Sequence, residues 1–411
     1  MRILILGGTG LIGSALASQL SSHDVCTLSR SRAPNTIYGD FAQLRSAEVW
    51  LPLLDGVDVV VNAVGIFNES PSQTFSDLHV NAPIALFAAC EQTSVRVIQV
   101  SALGAAPDAV TAYWRSKGQA DAVLCASSLN WSIIRPSLIY AANGRSSRAL
   151  CSIASLLLLA DLQGCGDVQP VHLDDVIALL VRLIEAPVAQ RQIINVVGPA
   201  AMPLSQWWQQ LRQAMAMRPA VTIKVLPWMQ QLASAMAKYL PSSLLSRDSL
   251  AMLRAGNCAD VQPFAELLGR APKAALPAAD EAAAIRRTAQ LGWMLPMLRI
   301  ALALVWFLTA AVSLWGWPRD ESYALLGEVG IPSSLQALMF YGSVAMDAAF
   351  GLACLLNIAW RWQLLLVLFY SVVIAIAMPQ FLLHPFGPLL KNVPILALLL
   401  MFDQLSNTRQ K

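Results

Sequence analysis

Charge is what this sequence has least of. Asp, Glu, Lys and Arg make up 13% of its 411 residues, about half the share of an ordinary soluble chain, while 56% are hydrophobic. The deficit is concentrated: residues 1–290 carry the charge pattern of a soluble α/β chain, and residues 293–402 are nearly uncharged. A net charge of +3 is too small to suggest a nucleic-acid partner or a polybasic membrane-surface segment. Paired cysteines are missing too. The seven cysteines (Cys26, Cys90, Cys125, Cys151, Cys165, Cys258 and Cys354) contain no C-x-x-C spacing. That pattern excludes a zinc or disulfide framework, predicts reduced thiols in a cytosolic compartment, and leaves no metal site to expect. The apolar opening, residues 3–6, is too brief for the core of a signal peptide and is expected to be a strand.

What is present starts at that strand. It runs into Gly7-Gly8-Thr9-Gly10-Leu11-Ile12-Gly13, and a helical pattern follows at Leu11, Ala15, Leu16 and Leu20. A strand, a glycine-rich turn and a helix N-terminus together hold a pyrophosphate: backbone N–H groups and the positive helix end face the anion, and missing side chains let it come close. The second strand, residues 24–28, ends at Ser29-Arg30-Ser31-Arg32. A fold of this kind places an acid there when it binds the free ribose 2′-hydroxyl of NAD. No acid is present, and two guanidinium groups suit a 2′-phosphate, so NADP(H) is expected over NAD(H). The alternative is a solvated basic loop.

Further strands are expected at 36–38, 57–61 and 95–100. Asp40, after the third, either meets the adenine edge or caps the next helix. The fourth runs into Asn62-Ala63-Val64-Gly65, where small residues let backbone pass close to a cofactor. The fifth delivers Ser101 at its carboxyl end, the edge where ligands sit in open α/β sheets. Tyr113-Trp-Arg-Ser-Lys117 then opens a helix, and i, i+4 spacing puts Tyr113 and Lys117 on one face. An ammonium beside a phenol is expected to lower the phenol's pKa, and the Ser101 hydroxyl would hold a substrate oxygen against it. The three would form a proton-transfer device for hydride chemistry at a C–OH/C=O centre.

On these motifs, residues 1 to about 285 resemble the short-chain dehydrogenase/reductase superfamily in its atypical or extended branch. Within it they resemble the group similar to the NADPH-binding accessory subunit of respiratory complex I. The resemblance implies that Gly7, Gly10 and Gly13 form the glycine motif, with Thr9, Leu11 and Ile12 beside the cofactor. It further implies that Asp40 is the acid after the third strand, and that Ser101, Tyr113 and Lys117 are the catalytic triad, Lys117 also holding the cofactor ribose. Asn81 matches the supporting asparagine, and Ile134-Arg-Pro136-Ser137 matches the segment whose proline lies against the nicotinamide. Val171-His172-Leu-Asp174-Asp175 matches a segment opening a helix in the substrate lobe. Asn62-Ala-Val-Gly65 departs from the usual N-N-A-G, and in this branch NADP(H) can be bound without turnover.

Beyond the sheet, residues 150–160 are expected to be a buried helix, with a lid or lipid contact as the alternative. His172 is expected to be structural, Asp174 and Asp175 to sit in a helix's first turn, and Trp207 and Trp208 to be either packing or an interfacial anchor. Ala-rich residues 271–290, with Pro272 and Pro277, are expected to be a tether. Four apolar segments follow, at about 294–315, 337–356, 362–382 and 386–402, with tryptophans near their ends. Basic residues gather on one side (Arg286, Arg287, Arg361, Arg409, Lys411), which places both termini in the cytosol. A multi-pass protein of a bacterial inner membrane is expected.

Asp347 sits mid-way along the second segment, where an ionisable group is costly, and Lys391 is its natural partner, with Asn392 and His384 nearby. A purely structural pair and snorkelling are the alternatives. Residues 293–403 resemble DoxX-like membrane domains, a family linked with quinone-related redox chemistry, on the stretch His384-Pro-Phe-Gly-Pro-Leu-Leu-Lys391-Asn392-Val-Pro. The expected fold is therefore α/β, a doubly wound parallel Rossmann-type sheet with a small substrate lobe over residues 1–270. A linker (271–292), an all-α four-helix transmembrane domain (293–403) and a tail (404–411) complete it. The expected function is membrane-tethered NADP(H)-dependent oxidoreduction of a lipophilic or quinone-like small molecule, in contact with membrane lipid, with any membrane redox partner unnamed. A non-catalytic NADPH-binding assembly or sensor protein, and a sugar-nucleotide epimerase or dehydratase, are the alternatives.

Overall fold

Four aliphatic residues near the start of the chain, Ile3 to Leu6, form the centre of the first unit's main sheet. In a computed structural model, described for all residues except 31–34, 187, 238–245, 384–388 and 408–411, the chain divides into two compact units, residues 1–290 and 291–411.

In the first unit, β1 (Arg2–Leu6) lies between β2 (Asp24–Ser29) and β4 (Val59–Asn62). Outward on one side comes β3 (Thr36–Tyr38), and on the other β5 (Arg96–Val100), β6 (Trp131–Pro136) and the edge strand Gln192–Val196. All seven run parallel, in register pairs such as Leu6 with Leu28 and Leu6 with Asn62. This is a Rossmann-type sheet. Its central strands read as continuous apolar runs because both faces are covered. Leu4, Leu6, Val60 and Val97 pack into one layer with Trp50, Leu86 and Phe87; Ile3, Ile5, Val61 and Ile98 pack into the other with Leu16, Leu180 and Leu183. The order of strands reverses between β1 and β4, so the carboxyl ends of those strands flank the crevice where such sheets take ligands.

A smaller lobe follows β6. Helices Arg145–Ala154 and Leu204–Ala214 and the paired strands Leu158–Leu162 and Val221–Val225 surround a core of Tyr140, Cys151, Trp207, Trp208 and Leu211. The expected helix over 150–160 is corrected here: it ends at Ala154, and β-pairing with residues 221–225 captures 158–162 instead. Both Trp207 and Trp208 are buried, Trp207 donating from Nε1 to the Ala275 carbonyl at 3.1 Å, so they are packing residues. His172 caps helix Leu173–Glu185 by accepting from Asp174 N at 3.2 Å, and Asp174 and Asp175 occupy its first turn. Asp175 is fully buried and accepts from Arg270 and from Lys273 N. Residues 271–281 are thus tied down, and from Ala282 the segment expected as a tether is already helical.

In the second unit, three helices among the described residues are long and apolar enough to cross a membrane: Ala282–Gly316 (its first turns belonging to the first unit), Ser333–Leu356 and Trp360–Ala377. A short polar helix, Arg319–Glu328, lies between the first two. The fourth apolar helix runs Asn392–Asn407, C-terminal to the expected 386–402. Its 16 residues rise about 24 Å, short of a hydrocarbon core of about 30 Å. Trp360 stacks on Phe402 with ring centroids 4.6 Å apart, and buried Gln363 accepts from Trp306 Nε1 at 2.9 Å and from Cys354 Sγ at 3.1 Å. Large apolar side chains such as Leu338, Ile376 and Trp362 face outward.

Candidate nucleotide and proton-transfer site

The glycine turn is built on three close approaches. Gly7 has φ +79°, and a Cβ there would stand 2.9 Å from the Ala63 carbonyl. A Cβ at Gly13 would fall 2.3 Å from the Gly7 oxygen, inside any permissible contact. Gly10 N donates to that same oxygen at 2.8 Å and starts helix Leu11–Gln19 with no side chain capping it. No acidic residue lies in that helix's first turn. Its unpartnered N–H groups and positive end therefore present an anion cradle at the carboxyl edge of β1. Thr9 and Gly10 are exposed, and Leu11 and Ile12 are half-buried against the sheet. These residues fit the diphosphate of a dinucleotide.

Arg30, at the end of β2, is exposed; Arg32 lies outside the described residues. Asp40 caps the short helix Phe41–Gln43, its carboxylate accepting from Ala42 N at 3.2 Å, which is the second of the two roles considered for it. On the other flank of the crevice, buried Asn62 donates from Nδ2 to Gln99 Oε1 at 2.9 Å and accepts from Val64 N at 3.2 Å. That amide pair fixes the path of Ala63-Val64-Gly65. A Cβ on Gly65 would stand 3.3 Å from Lys117 Nζ. Pro136 is buried at the end of β6.

Ser101 follows β5, and Tyr113 and Lys117 lie on helix Ala112–Ala126, capped by the Thr111 hydroxyl. The helix is held against the preceding loop, because a Cβ on Gly118 would sit 2.2 Å from the Ala106 backbone. Lys117, only 3% exposed, donates from Nζ to the Val64 carbonyl at 2.9 Å and the Val100 carbonyl at 3.1 Å. Burial pushes its pKa down to about 8, and the Asp121 carboxylate opposes that shift. The Tyr113 ring lies among Phe67, Phe75 and His79, at centroid distances of 5.3, 6.1 and 5.7 Å. Burial raises its pKa to about 12, where the sequence led to a lowered value. The reason is geometric: the ammonium is spent on two backbone carbonyls, and the phenol lies in an aromatic setting that disfavours its anion.

Three partners escaped the sequence reading. The Ser101 hydroxyl donates to Asp121 Oδ2 at 2.7 Å, and Arg135 donates to the same oxygen from Nε at 3.0 Å and Nη2 at 2.8 Å. Asp121 Oδ1 is buried with no hydrogen-bond partner, and desolvation raises the carboxyl's pKa despite its partners. The signal was there: Asp121 stands four residues after Lys117, completing an i, i+4, i+8 row with Tyr113. Buried His79 is the third. Its Nε2 accepts from Ile66 N at 3.1 Å, which assigns the ring proton to Nδ1 and makes Nδ1 the donor to Ser116 Oγ at 2.9 Å; that hydroxyl donates in turn to the Tyr113 carbonyl at 2.9 Å. Burial and the nearby Lys117 charge push the imidazole's pKa down to about 2. Asn81, expected in a supporting role, is exposed and donates to Ser76 and Asp77 of its own segment. His79, two residues earlier, is the one that supports the site.

Residues 7–151 match the NAD(P)H-binding family, and residues 303–400 match the DoxX-like family. The chain joins an NAD(P)H-binding Rossmann domain to a DoxX-like domain. Among solved structures, it is similar to a nucleoside-diphosphate-sugar epimerase from Staphylococcus aureus (15% identity, TM-score 0.55, covering 71% of this chain and 100% of that one). It is also similar to UDP-glucuronic acid 4-epimerase from Bacillus cereus in complex with UDP-glucuronic acid and NAD (16%, TM-score 0.53, 71% and 100%). A third is DesIV, the dTDP-glucose 4,6-dehydratase from Streptomyces venezuelae, with NAD bound (19%, TM-score 0.51, 71% and 98%). At these identities the likeness is one of fold. No curated protein matches the chain. With three helices long and apolar enough to cross a bilayer, the DoxX-like domain marks a membrane protein.

The DoxX-like domain carries the polar residues singled out in the sequence, Asp347, His384, Lys391 and Asn392. None of the ion pairs among the described residues involves Asp347 or Lys391, so the expected pair is not formed. Lys391 is exposed, and Asn392 donates to Ser371 Oγ at 2.9 Å. His384 lies outside the described residues. Gln363, not singled out before, is the buried polar centre of this domain.

Proposed function

We propose that the Rossmann domain binds NADP(H) in preference to NAD(H) and uses it to interconvert a carbonyl and an alcohol on a lipophilic or quinone-like molecule. The DoxX-like domain would hold the enzyme at the membrane where such a substrate dissolves. The observation that carries this reading is the delivery of Ser101, Tyr113 and Lys117 to the same sheet edge as the uncapped glycine turn. The cofactor, when bound, supplies the hydride. With a pKa near 12, Tyr113 holds its proton at neutral pH and is suited to give it to a substrate oxygen in the reductive direction. Ser101 would turn its hydroxyl from Asp121 to the same oxygen. Lys117 holds the Val64 and Val100 carbonyls together and would offer its positive charge to a bound cofactor. Phe67 and Phe75 beside the phenol favour an apolar or aromatic substrate over a sugar. A multi-pass arrangement with the Rossmann domain in the cytosol of a bacterium, at its inner membrane, completes the proposal and rests on the flanking Arg and Lys residues.

A second reading, cofactor binding without turnover, is supported by the same geometry seen differently: the phenol is not activated and the serine is engaged. The two part on one measurement. Purified protein in detergent, loaded with NADPH, is mixed with quinones and ketones of increasing chain length and absorbance at 340 nm is followed. Consumption that disappears in Tyr113→Phe, with NADPH affinity unchanged, supports catalysis. Tight NADPH binding with no consumption by any acceptor supports the second reading.

A further inference from the structure

The smaller lobe of the Rossmann domain carries a helix whose opening turns are inside out. In Pro227–Ala237, Gln230 is 2% exposed and its amide donates to the Gln163 and Val225 carbonyls, both at 2.9 Å. Trp228, 62% exposed, faces outward with Met229 and Leu232. The apolar strip continues through Leu226 into strand Val221–Val225, where Val221 and Ile223 are exposed, and to Leu157 and Leu158, the latter paired in register with Val221. A soluble domain normally buries such a set and turns its glutamine to water. The polar amide has instead been used to pin the helix to the lobe with its large side chains facing out.

Two observations say what covers the strip. One is charge. From residue 186 to residue 247 there is no Asp or Glu, while Arg191, Arg212, Arg218, Lys224, Lys238 and Arg247 are present. Arg212 is buried on backbone carbonyls; Arg218 is exposed, and Lys224 is exposed on the strand face opposite Val221 and Ile223, in register with Asp161, whose half-buried carboxylate is engaged by Gln163 and Ser205. A stretch with no acid of its own around exposed Trp and Leu suits anionic lipid headgroups over an acyl boundary. The other is anchorage. Ala289, 2% exposed, lies in the lobe's own core, and Arg286 donates to the Ala216 carbonyl at 3.3 Å. Both belong to helix Ala282–Ala311, which continues without a break into the first apolar stretch long enough to cross a bilayer.

We propose that the strip formed by Leu157, Leu158, Val221, Ile223, Trp228 and Leu232 lies in the interfacial layer of an anionic bilayer. This rests on the membrane reading of the DoxX-like domain and is independent of the redox chemistry. The test uses the full chain with Cys258→Ser, the exposed cysteine removed, in nanodiscs of phosphatidylethanolamine and phosphatidylglycerol. Nitroxides are placed singly at Trp228→Cys, Leu232→Cys and, as a span reference, Ile376→Cys; labelled Cys258→Ser protein supplies the background. Collisions with oxygen and with a neutral nickel chelate are compared. The expected result is oxygen-dominated relaxation at 228 and 232, at a depth of about 5–10 Å below the headgroup boundary, with a shallower reading when phosphatidylglycerol is replaced by phosphatidylcholine. Nickel-dominated relaxation at 228 and 232 means the strip faces water and overturns the proposal. Exclusion of both reagents there means protein covers it, a second copy included, and also overturns it. If 376 reads lipid in either case, the membrane reading survives the failure; if 376 reads water, that reading falls first.

Discussion

Acid should loosen the floor of the nucleotide crevice through one imidazole. His79 is buried and neutral, accepting from Ile66 N on one ring nitrogen and donating to Ser116 on the other. Its pKa is about 2 in the folded protein against about 6.5 when solvated. The unfolded chain takes up the proton first as pH falls, so stability from this group is intact above pH 6.5 and drains away below it, until pH nears 2. Each pH unit below 6.5 removes about 1.4 kcal/mol, so acidification to pH 4.5 should cost roughly 2–3 kcal/mol from this side chain. For a unit of 290 residues that is a Tm decrease of about 3–5 °C. His79→Gln keeps an acceptor for Ile66 N but cannot titrate. Melting of both proteins in detergent between pH 4.5 and 7.5, followed by near-UV circular dichroism, isolates the histidine, because every other titrating group is shared. The variant should lose less Tm over that range by the stated amount. Equal acid losses in the two proteins would refute the assignment of His79 as a neutral strut.

Gly13→Ala should cost about 1–3 kcal/mol and weaken NADPH binding measured by calorimetry, because its methyl meets backbone at 2.3 Å; Gly10→Ala, with 3.1 Å to the same oxygen, should cost less. Arg135→Met should destabilise by about 3–5 kcal/mol in a denaturant melt, since Asp121 is left buried without its cation, and Arg135→Lys should recover part of that. Arg30→Asp should lower the NADPH-to-NADH affinity ratio roughly tenfold or more by removing a charge-assisted contact to the 2′-phosphate; an unchanged ratio removes Arg30 from the specificity site.

How much of this could be read from the residues depended on whether the cause was local. The glycine turn, the strand before it, the end of β5 at Ser101 and the Tyr113–Lys117 helix were legible, because each is set by neighbouring residues and a period. Residues 158–162 were not: their apolar run continues the pattern of the preceding helix, and only pairing with 221–225 makes them a strand. The partners of the site were half legible. Asp121 was visible as a helical row but not as the acceptor for Ser101 and Arg135, which arrive from different strands. His79 was overlooked in favour of Asn81, since nothing local says which of two residues in one short segment turns inward. The direction of the Tyr113 shift was missed for the same reason: spacing puts the ammonium on the right face, whereas the carbonyls that engage it come from the segment after β4 and from β5.

The flush seat of Gly118 on Ala106 constrains how this fold could have diversified. With no room for even a methyl group there, the helix bearing Tyr113 and Lys117 can neither slide nor tilt without clashing. Natural variants that accept bulkier or smaller substrates would have to leave that rod untouched and vary Phe67, Phe75 and their loop. Sequence drift across relatives should be dense at those two rings and nearly silent at the glycine.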